Sequence, residues 1–210
     1  MTSHPEVMPA AQQEALRSVA PAVNRRGLYL GGRTSIAIHL GHRRSLDFDW
    51  LSASPLGDPL ALAAALRKEG VPVEIGEIAR GTLHGVVYGV RMTFLEYPYP
   101  SLEPSVAWPA FGCQLASLAD LATMKLSAIA SRGSRKGFVD IFALGKTFQP
   151  LPDMLRAYQR RYHIADIGHL WYALAYFDDA EQEPMPEMLW DAPWSVMRQT
   201  IESWVRAGIA

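Results

Sequence analysis

The sequence contains very little cysteine and no long hydrophobic run, and each absence excludes a class of protein. Cys113 is the only cysteine in 210 residues, so the chain cannot form an internal disulfide, which is typical of a reducing compartment. The longest apolar run, near residues 60–66, is far shorter than the roughly 20 residues that cross a bilayer. The first ten residues lack a basic segment followed by an apolar core. We therefore expect no signal peptide, no membrane partner and a cytoplasmic protein.

An excess of charge of either sign is also missing. The chain has 20 Lys and Arg residues against 21 Asp and Glu residues, for a net charge of −1. This balance predicts no overall attraction to nucleic acid, so phosphate binding would depend on local basic groups. Hydrophobic residues make up 49% and charged residues 20% of the chain, which indicates a globular protein.

The hydrophobic pattern changes part-way along the chain. Residues 73–79, 82–87 and 90–95 read as strands, with turns at Arg80-Gly81 and Tyr88-Gly89, whereas helical spacing dominates after residue 114. Residues 33–40 fit either a strand or a short helix. We therefore predict an α/β core over residues 1–110 and a helical region over residues 111–210 that completes the active site.

The stretch GHRRSLDFDW, residues 41–50, carries the clearest chemical signal. Asp47 and Asp49 alternate with apolar residues, which is the period of a β-strand and places two carboxylates on one face about 6.5 Å apart. Carboxylates that close repel unless a cation lies between them, and Mg²⁺ carrying nucleotide phosphates is the usual solution. The basic residues 42–44 could hold phosphate oxygens beside that metal. The solvated face of an edge strand is the ordinary alternative.

Two charged residues further along occupy apolar surroundings. Lys125 shares a helical face with the apolar residues of 118–129, and Asp140 lies within the apolar stretch 138–142. A buried ammonium is costly unless it is paired, so we predict that Asp140 either supports Lys125 or acts as a general acid or base. The alternatives are a lysine that extends to the surface, and an aspartate that serves a helix N-terminus or pairs with Arg135.

A glycine pair and a basic cluster add phosphate-binding potential. Gly31 and Gly32 would expose free backbone N–H groups to a phosphate if they open a helix, although a tight turn is the commoner use of such a pair. Arg132, Arg135 and Lys136 would suit a triphosphate or an RNA backbone, and a solvated basic turn fits them equally well.

Two longer motifs resemble a known family. LGHRRSLDFDW, residues 40–50, and LATMKLSAIASRGSRKGFVDIFAL, residues 121–144, resemble the nucleotidyl transferase AbiEii/AbiGii toxin family, and the likeness extends over residues 29–144. The resemblance implies the DNA-polymerase-β-like nucleotidyltransferase fold: α/β, with a mixed sheet and flanking helices, followed by a C-terminal helical region. It also implies transfer of a nucleotide from an NTP to a protein or RNA acceptor, in some relatives the 3′ end of tRNA, by a toxin with a cognate antitoxin that confers abortive infection.

The resemblance assigns roles to particular residues. Asp47 and Asp49 would bind Mg²⁺, Lys125 would contact phosphate, and Asp140 would support the lysine or the nucleophile. With the residue patterns above, the predicted nucleotide-binding residues are Gly31, Gly32, Thr34, Arg43, Ser45, Arg132 and Arg135.

The sequence departs from the family pattern at two points. Arg33 stands where a second glycine of the family's Gly-Gly-Thr is expected, and no third metal-binding carboxylate is obvious, Glu96 being the nearest candidate. Three alternative functions stay open. One is a small-molecule nucleotidyltransferase of the antibiotic-modifying kind, and another is a catalytically silent nucleotide- or antitoxin-binding module. The third is self-modification or phosphotransfer to Ser45.

Overall fold

The computed structural model describes residues 3–209, and in this range strands from both halves of the chain form one mixed sheet. The strands are β1 (Tyr29–Gly31), β2 (Phe48–Ser52), β3 (Glu74–Ala79), β4 (Thr82–Val87), β5 (Val90–Glu96), β6 (Val106–Trp108) and β7 (Cys113–Leu115). Their spatial order is β3-β4-β5-β2-β1-β7-β6. The pairs β2–β5 and β1–β7 are parallel and the other neighbours are antiparallel.

Helices cover the sheet and form most of the chain after it. They are α1 (Ala10–Asn24), α2 (Gly32–Leu40), α3 (Pro59–Lys68), α4 (Leu118–Ser131), α5 (Arg135–Thr147), α6 (Leu151–Tyr162), α7 (Gly168–Ala175), α8 (Asp178–Gln182) and α9 (Trp194–Ile209). Among the described residues, none of these helices is both long and apolar enough to cross a membrane.

The acidic stretch lies at the centre of the sheet. Phe48 and Trp50 are fully buried in the apolar core that β2 shares with α1 and α3. Asp47 and Asp49, which alternate with them, are only half-buried, so the predicted alternation is confirmed. The two aspartates therefore belong to the opposite face of the sheet from that core.

The register of the sheet places a row of residues across four strands. Asp49 on β2 pairs with Gly31 on β1 and with Thr93 on β5, and Thr93 pairs in turn with His84 on β4. Side chains that are paired across neighbouring strands point to the same face of a sheet. Thr93 and His84 therefore lie on the same face as Asp49.

The structure shows which form the ambiguous residues 33–40 adopt and how the chain continues after β5. Residues 33–40 form helix α2, which starts directly after β1 and packs against α4 and α5. After the proline-rich loop the chain returns to the sheet as β6 and β7 before α4 begins. Ser117 and Ser134 cap α4 and α5, because their hydroxyls accept hydrogen bonds from the N–H groups of Asp120 and Gly137. The boundary at residue 110 stays a prediction.

Candidate active site

The two aspartates line one cavity over the sheet. Asp47 precedes β2 directly and Asp49 lies within it, and both border the same space together with Arg33 and Arg91. Arg91 donates to both Asp47 oxygens, with Nε–Oδ1 at 3.0 Å and Nη2–Oδ2 at 3.3 Å, and Arg33 Nη2 lies 3.5 Å from Oδ2. The structure thus brings the predicted pair together, with one of its carboxylates neutralised by arginine.

Asp49 has a different environment from Asp47. Burial raises the pKa of Asp49, the nearby charge of Arg33 opposes that rise, and the negative charge of Asp47 adds to it. Among the described residues no ion pair to Asp49 occurs at 4.0 Å or less. Asp49 is therefore a partly desolvated carboxyl group whose ionised form would be stabilised by an added cation.

Gly32 allows the chain to approach Asp49. It has φ +62°, and a Cβ at this position would lie 2.1 Å from Asp49 Oδ2. Both the left-handed backbone and the close contact require glycine. The first turn of α2 is thereby held against the carboxyl group. Arg33, the residue in place of the family's second glycine, follows in the same turn.

A buried ionic cluster lies beneath this face. Asp140 is fully buried and accepts from Arg43 Nε at 2.7 Å, Arg43 Nη2 at 3.0 Å and His42 Nε2 at 2.8 Å. Its Oδ2 also lies 2.7 Å from Lys125 Nζ. The predicted pairing of Lys125 with Asp140 is present, and the alternative pairing of Asp140 with Arg135 is not formed in the described part of the chain.

The cluster carries more positive than negative charge. Burial alone would raise the pKa of Asp140, but the charges of Arg43 and Lys125 and the hydrogen bond from His42 hold it well below its usual range. Burial lowers the pKa of His42, which favours its neutral form. Two cations, Arg43 and Lys125, thus share one carboxylate, and an anion placed beside Lys125 would balance the remaining charge.

Lys125 opens onto the larger cavity of about 620 Å³. One wall is apolar and consists of Ile36, Leu121, Met124 and Ala128. The polar lining includes Gly32, Asp49, Arg33, Lys125, Arg132 and Lys136. An apolar wall beside several basic groups suits a ligand with a flat apolar ring and a polyanionic tail. The cavity reaches the acidic pair because Asp49 forms part of its lining.

Two predicted nucleotide-binding residues instead hold the loop that carries Asp47. Thr34 and Ser45 are buried, and their hydroxyl oxygens are 2.7 Å apart. The Thr34 hydroxyl also contacts the backbone carbonyl oxygen of Asp47. These bonds attach the start of the acidic strand to α2, and they give both residues a positioning role. Direct contact with a nucleotide stays a prediction for them.

The predicted arginines are divided between structural contacts and the cavity. The guanidinium of Arg43 is occupied by Asp140, as described above. Arg135 donates to the carbonyl oxygens of Ala180 and Glu181, at 2.7 and 3.0 Å, and lies over the ring of Trp194. Arg132 lines the larger cavity, where its guanidinium is 3.1 Å from Glu183. Of the three, Arg132 is the best placed to meet a ligand.

Glu96 lies away from the acidic pair. It pairs with Ser52 at the far end of β2 and accepts a hydrogen bond from the Leu56 N–H at 2.7 Å. The position beside Asp49 on β5 is occupied by Thr93, with His84 next to it. Sequence analysis missed Thr93, His84 and Arg91 as site residues, because the parallel pairing of β2 with β5 is long-range. The alternation of Arg91 and Thr93 with buried neighbours was the only local signal.

The donor set fits a magnesium ion that arrives with a phosphate ligand. Among the described residues, no group of three or more His, Cys, Asp and Glu side chains is arranged to hold a metal. Mg²⁺, however, is often held by one or two carboxylates together with waters and substrate phosphates. Asp47 and Asp49 provide hard oxygen donors on one cavity wall, and Asp49 has no close cation among residues 3–209.

One curated relative is similar along most of the chain. The uncharacterized protein aq_aa25 of Aquifex aeolicus (strain VF5) is 32% identical over 175 residues, which cover 82% of this chain and 84% of that protein. This chain belongs to the aq_aa25 family. No family model matches the sequence. That this aq_aa25 family protein also belongs to the AbiEii/AbiGii toxin family therefore stays a prediction.

Solved structures share the fold of this aq_aa25 family member. A "putative nucleotidyltransferase from H. pylori" has a TM-score of 0.58 at 12% identity and covers 93% of this chain and 92% of its own. JHP933 from Helicobacter pylori has a TM-score of 0.57 at 10% identity, with coverages of 98% and 92%. The predicted nucleotidyltransferase-type α/β fold is therefore confirmed. The Megavirus polyadenylate synthase is matched with a TM-score of 0.48, and this chain spans only 32% of its length.

Proposed function

We propose that this protein transfers a nucleotide from an NTP to a hydroxyl acceptor with the help of Mg²⁺. The observation that carries the proposal is the position of Lys125. Its ammonium belongs to a buried cluster with an excess positive charge and borders a cavity that also contains Asp49 and Gly32. A magnesium triphosphate complements both the spare positive charge and the carboxyl group.

The larger cavity suits the whole nucleotide. The apolar wall formed by α2 and α4 would pack against the base, and the volume of about 620 Å³ lies within the range of small-molecule sites. The triphosphate would meet Lys125, Arg33 and the N-terminus of α2, where backbone N–H groups and the helix dipole favour anions. Arg132 and Lys136 are available at the rim of the same cavity.

The acidic pair and the buried cluster have different roles in the transfer of the nucleotide. Mg²⁺, when held by Asp47 and Asp49, supplies positive charge beside the phosphates. Lys125 stabilises the charge that develops as the acceptor oxygen bonds to the α-phosphorus and the bond to pyrophosphate breaks. Asp140 fixes the position of Lys125, and Arg43 keeps Asp140 ionised in its buried position.

The sequence motifs support a more specific role. Their resemblance to AbiEii/AbiGii toxins favours RNA, such as the 3′ end of tRNA, as the acceptor, and it favours a toxin that is controlled by an antitoxin. One feature favours the alternative of a silent nucleotide-binding module. Arg91 and Arg33 form ion pairs with Asp47, which occupy a carboxylate that the metal would need. Transfer and binding assays separate these two functions.

The direct test is a transfer assay with labelled NTPs and Mg²⁺. Unfractionated bacterial RNA and a panel of small hydroxyl compounds are offered separately as acceptors. We expect label in RNA, loss of that label in Asp47→Asn, and no change in Glu14→Gln, which removes an exposed carboxylate from α1 that lines neither cavity. Label in the small compounds alone would indicate the small-molecule class. NTP binding by calorimetry without transfer to either acceptor would refute the enzyme proposal.

A further inference from the structure

The smaller cavity, which both aspartates line, is distinct from the large cavity beside Lys125. It has a volume of about 360 Å³ and lies over β3, β4 and β5, where Gly76 and Gly85 form part of its lining. Arg33 and Asp49 border both this cavity and the larger one. Two spaces therefore meet at the same carboxyl group. The nucleotide proposal fills only the larger of them.

An in-line displacement needs two such spaces. The attacking oxygen approaches phosphorus on the side opposite to the leaving group, so acceptor and pyrophosphate occupy different sides of the reacting centre. If the nucleotide lies in the cavity beside α4, the smaller cavity is where a hydroxyl acceptor would enter. That acceptor must lose a proton, and a base has to lie within reach of it.

The smaller cavity contains a histidine that is oriented by the sheet. His84, Thr93 and Asp49 form one row across β4, β5 and β2. His84 Nδ1 is 3.2 Å from Thr93 Oγ1, and Thr93 is the residue paired with Asp49 across β2 and β5. In the tautomer in which His84 Nδ1–H donates to Thr93 Oγ1, the Nε2 lone pair of His84 is left available to accept a proton.

We propose that His84 is the general base for the acceptor hydroxyl, a role that rests on the proposed nucleotidyl transfer. The hydroxyl enters the cavity over β3–β5, and its proton passes to His84 Nε2 as its oxygen bonds to the α-phosphorus. The bond between the α-phosphorus and the bridging oxygen breaks, and pyrophosphate leaves with that electron pair. Thr93 is a positioning residue, because its hydroxyl oxygen accepts from His84 Nδ1–H and so leaves Nε2 to accept the proton.

Strand β5 has no carboxylate beside Asp49 that could serve as the base. The residue beside Asp49 on this strand is Thr93, and Glu96 is held elsewhere by the Leu56 N–H. Asp47 is paired with Arg91 and is assigned to the metal, so its oxygens are already occupied. His84 is the remaining basic side chain along this row, and its exposure lets a substrate reach it.

The test compares His84→Ala and His84→Gln with His169→Gln, which changes an exposed histidine on α7. Transfer of labelled nucleotide is measured with unfractionated RNA and with the small hydroxyl panel, and NTP affinity is measured by calorimetry. We expect kcat to fall about 100-fold or more in both His84 variants, with NTP affinity unchanged, since general base catalysis contributes about 10²–10⁴-fold. Added imidazole should restore part of the rate of His84→Ala, because it can occupy the vacated space. Thr93→Val should lower kcat, and Thr93→Ser should retain it.

The possible outcomes separate this inference from the function on which it rests. If the wild-type chain transfers label to neither acceptor, the proposed function fails and the role of His84 fails with it. If the wild type transfers label and the His84 variants do so at the same rate, His84 is not the base although the enzyme proposal stands. A loss of rate that imidazole does not restore, accompanied by weaker NTP binding, would show a structural role and overturn the inference.

Discussion

Removing Lys125 should weaken nucleotide binding with little loss of stability, whereas removing its partner Asp140 should destabilise the fold. In Lys125→Met the remaining pair, Arg43 and Asp140, keeps its two hydrogen bonds at 2.7 and 3.0 Å and is balanced in charge. In Asp140→Asn, two buried cations lose their common carboxylate. The two variants therefore test whether the excess positive charge is there for a ligand.

The magnitudes follow from burial. Breaking a buried ion pair from one side costs about 3–5 kcal/mol, so Asp140→Asn should lower the melting temperature by roughly 6–20 °C in a chain of this size. Lys125→Met removes a desolvated ammonium and introduces an apolar side chain of similar length, so the change in free energy of unfolding should stay below about 1.5 kcal/mol. Loss of one charge-assisted hydrogen bond to phosphate, worth about 1.5–3 kcal/mol, should weaken NTP binding roughly 10- to 150-fold.

The pH dependence of Asp140→Asn has a defined sign. The folded-state pKa of Asp140 lies well below the ordinary value of 3.8, so its contribution to stability is fully present above that value. The contribution is lost only as the pH falls below 3.8 toward the depressed pKa. The difference in stability between wild type and Asp140→Asn should therefore be constant near neutral pH and shrink in strong acid.

The assays are thermal or denaturant unfolding and calorimetry with magnesium NTP. Lys146→Met, which removes an exposed lysine from α5, controls for the change in net charge. The reasoning would be refuted if Lys125→Met were destabilised as much as Asp140→Asn, because the lysine would then be needed by the fold. Wild-type NTP affinity in Lys125→Met would equally refute it.

Three further predictions concern the surroundings of the cluster. Gly32→Ala should abolish transfer and lower stability more than Gly27→Ala does. Both glycines have positive φ, but only a Cβ at Gly32 would meet a neighbouring atom, Asp49 Oδ2. Unfolding and transfer assays on both variants check this prediction. Burial raises the pKa of Asp49, so its ionised form destabilises the fold at pH values above the unfolded-state pKa. Asp49→Asn should therefore raise the melting temperature at neutral pH and weaken Mn²⁺ binding. A lower melting temperature would contradict the desolvation argument. Arg135→Gln should lower the melting temperature with little effect on NTP affinity, because Arg135 is bonded to the α8 segment. Arg132→Gln should weaken NTP binding with little effect on the melting temperature, because Arg132 lines the cavity. Calorimetry and melting curves that gave the reverse result would contradict both assignments.

The sequence by itself determined the local features of this protein. Alternation along residues 47–50 predicted that Asp47 and Asp49 share one face, because side chains in an extended chain alternate irrespective of what surrounds them. An apolar helical face around Lys125 required a partner for its charge, because a buried ammonium is unstable alone, and Asp140 supplied it.

Tertiary structure alone decided which residues share the site. The parallel register of β2 with β5 placed Thr93 rather than Glu96 beside Asp49, and no short-range pattern encodes a pairing between segments that are more than forty residues apart. The same holds for Arg43, whose guanidinium was free to bind phosphate as far as the sequence showed. Packing of α5 against the loop after α2 assigned it to Asp140, because a fully buried carboxylate must be neutralised by the nearest available cations.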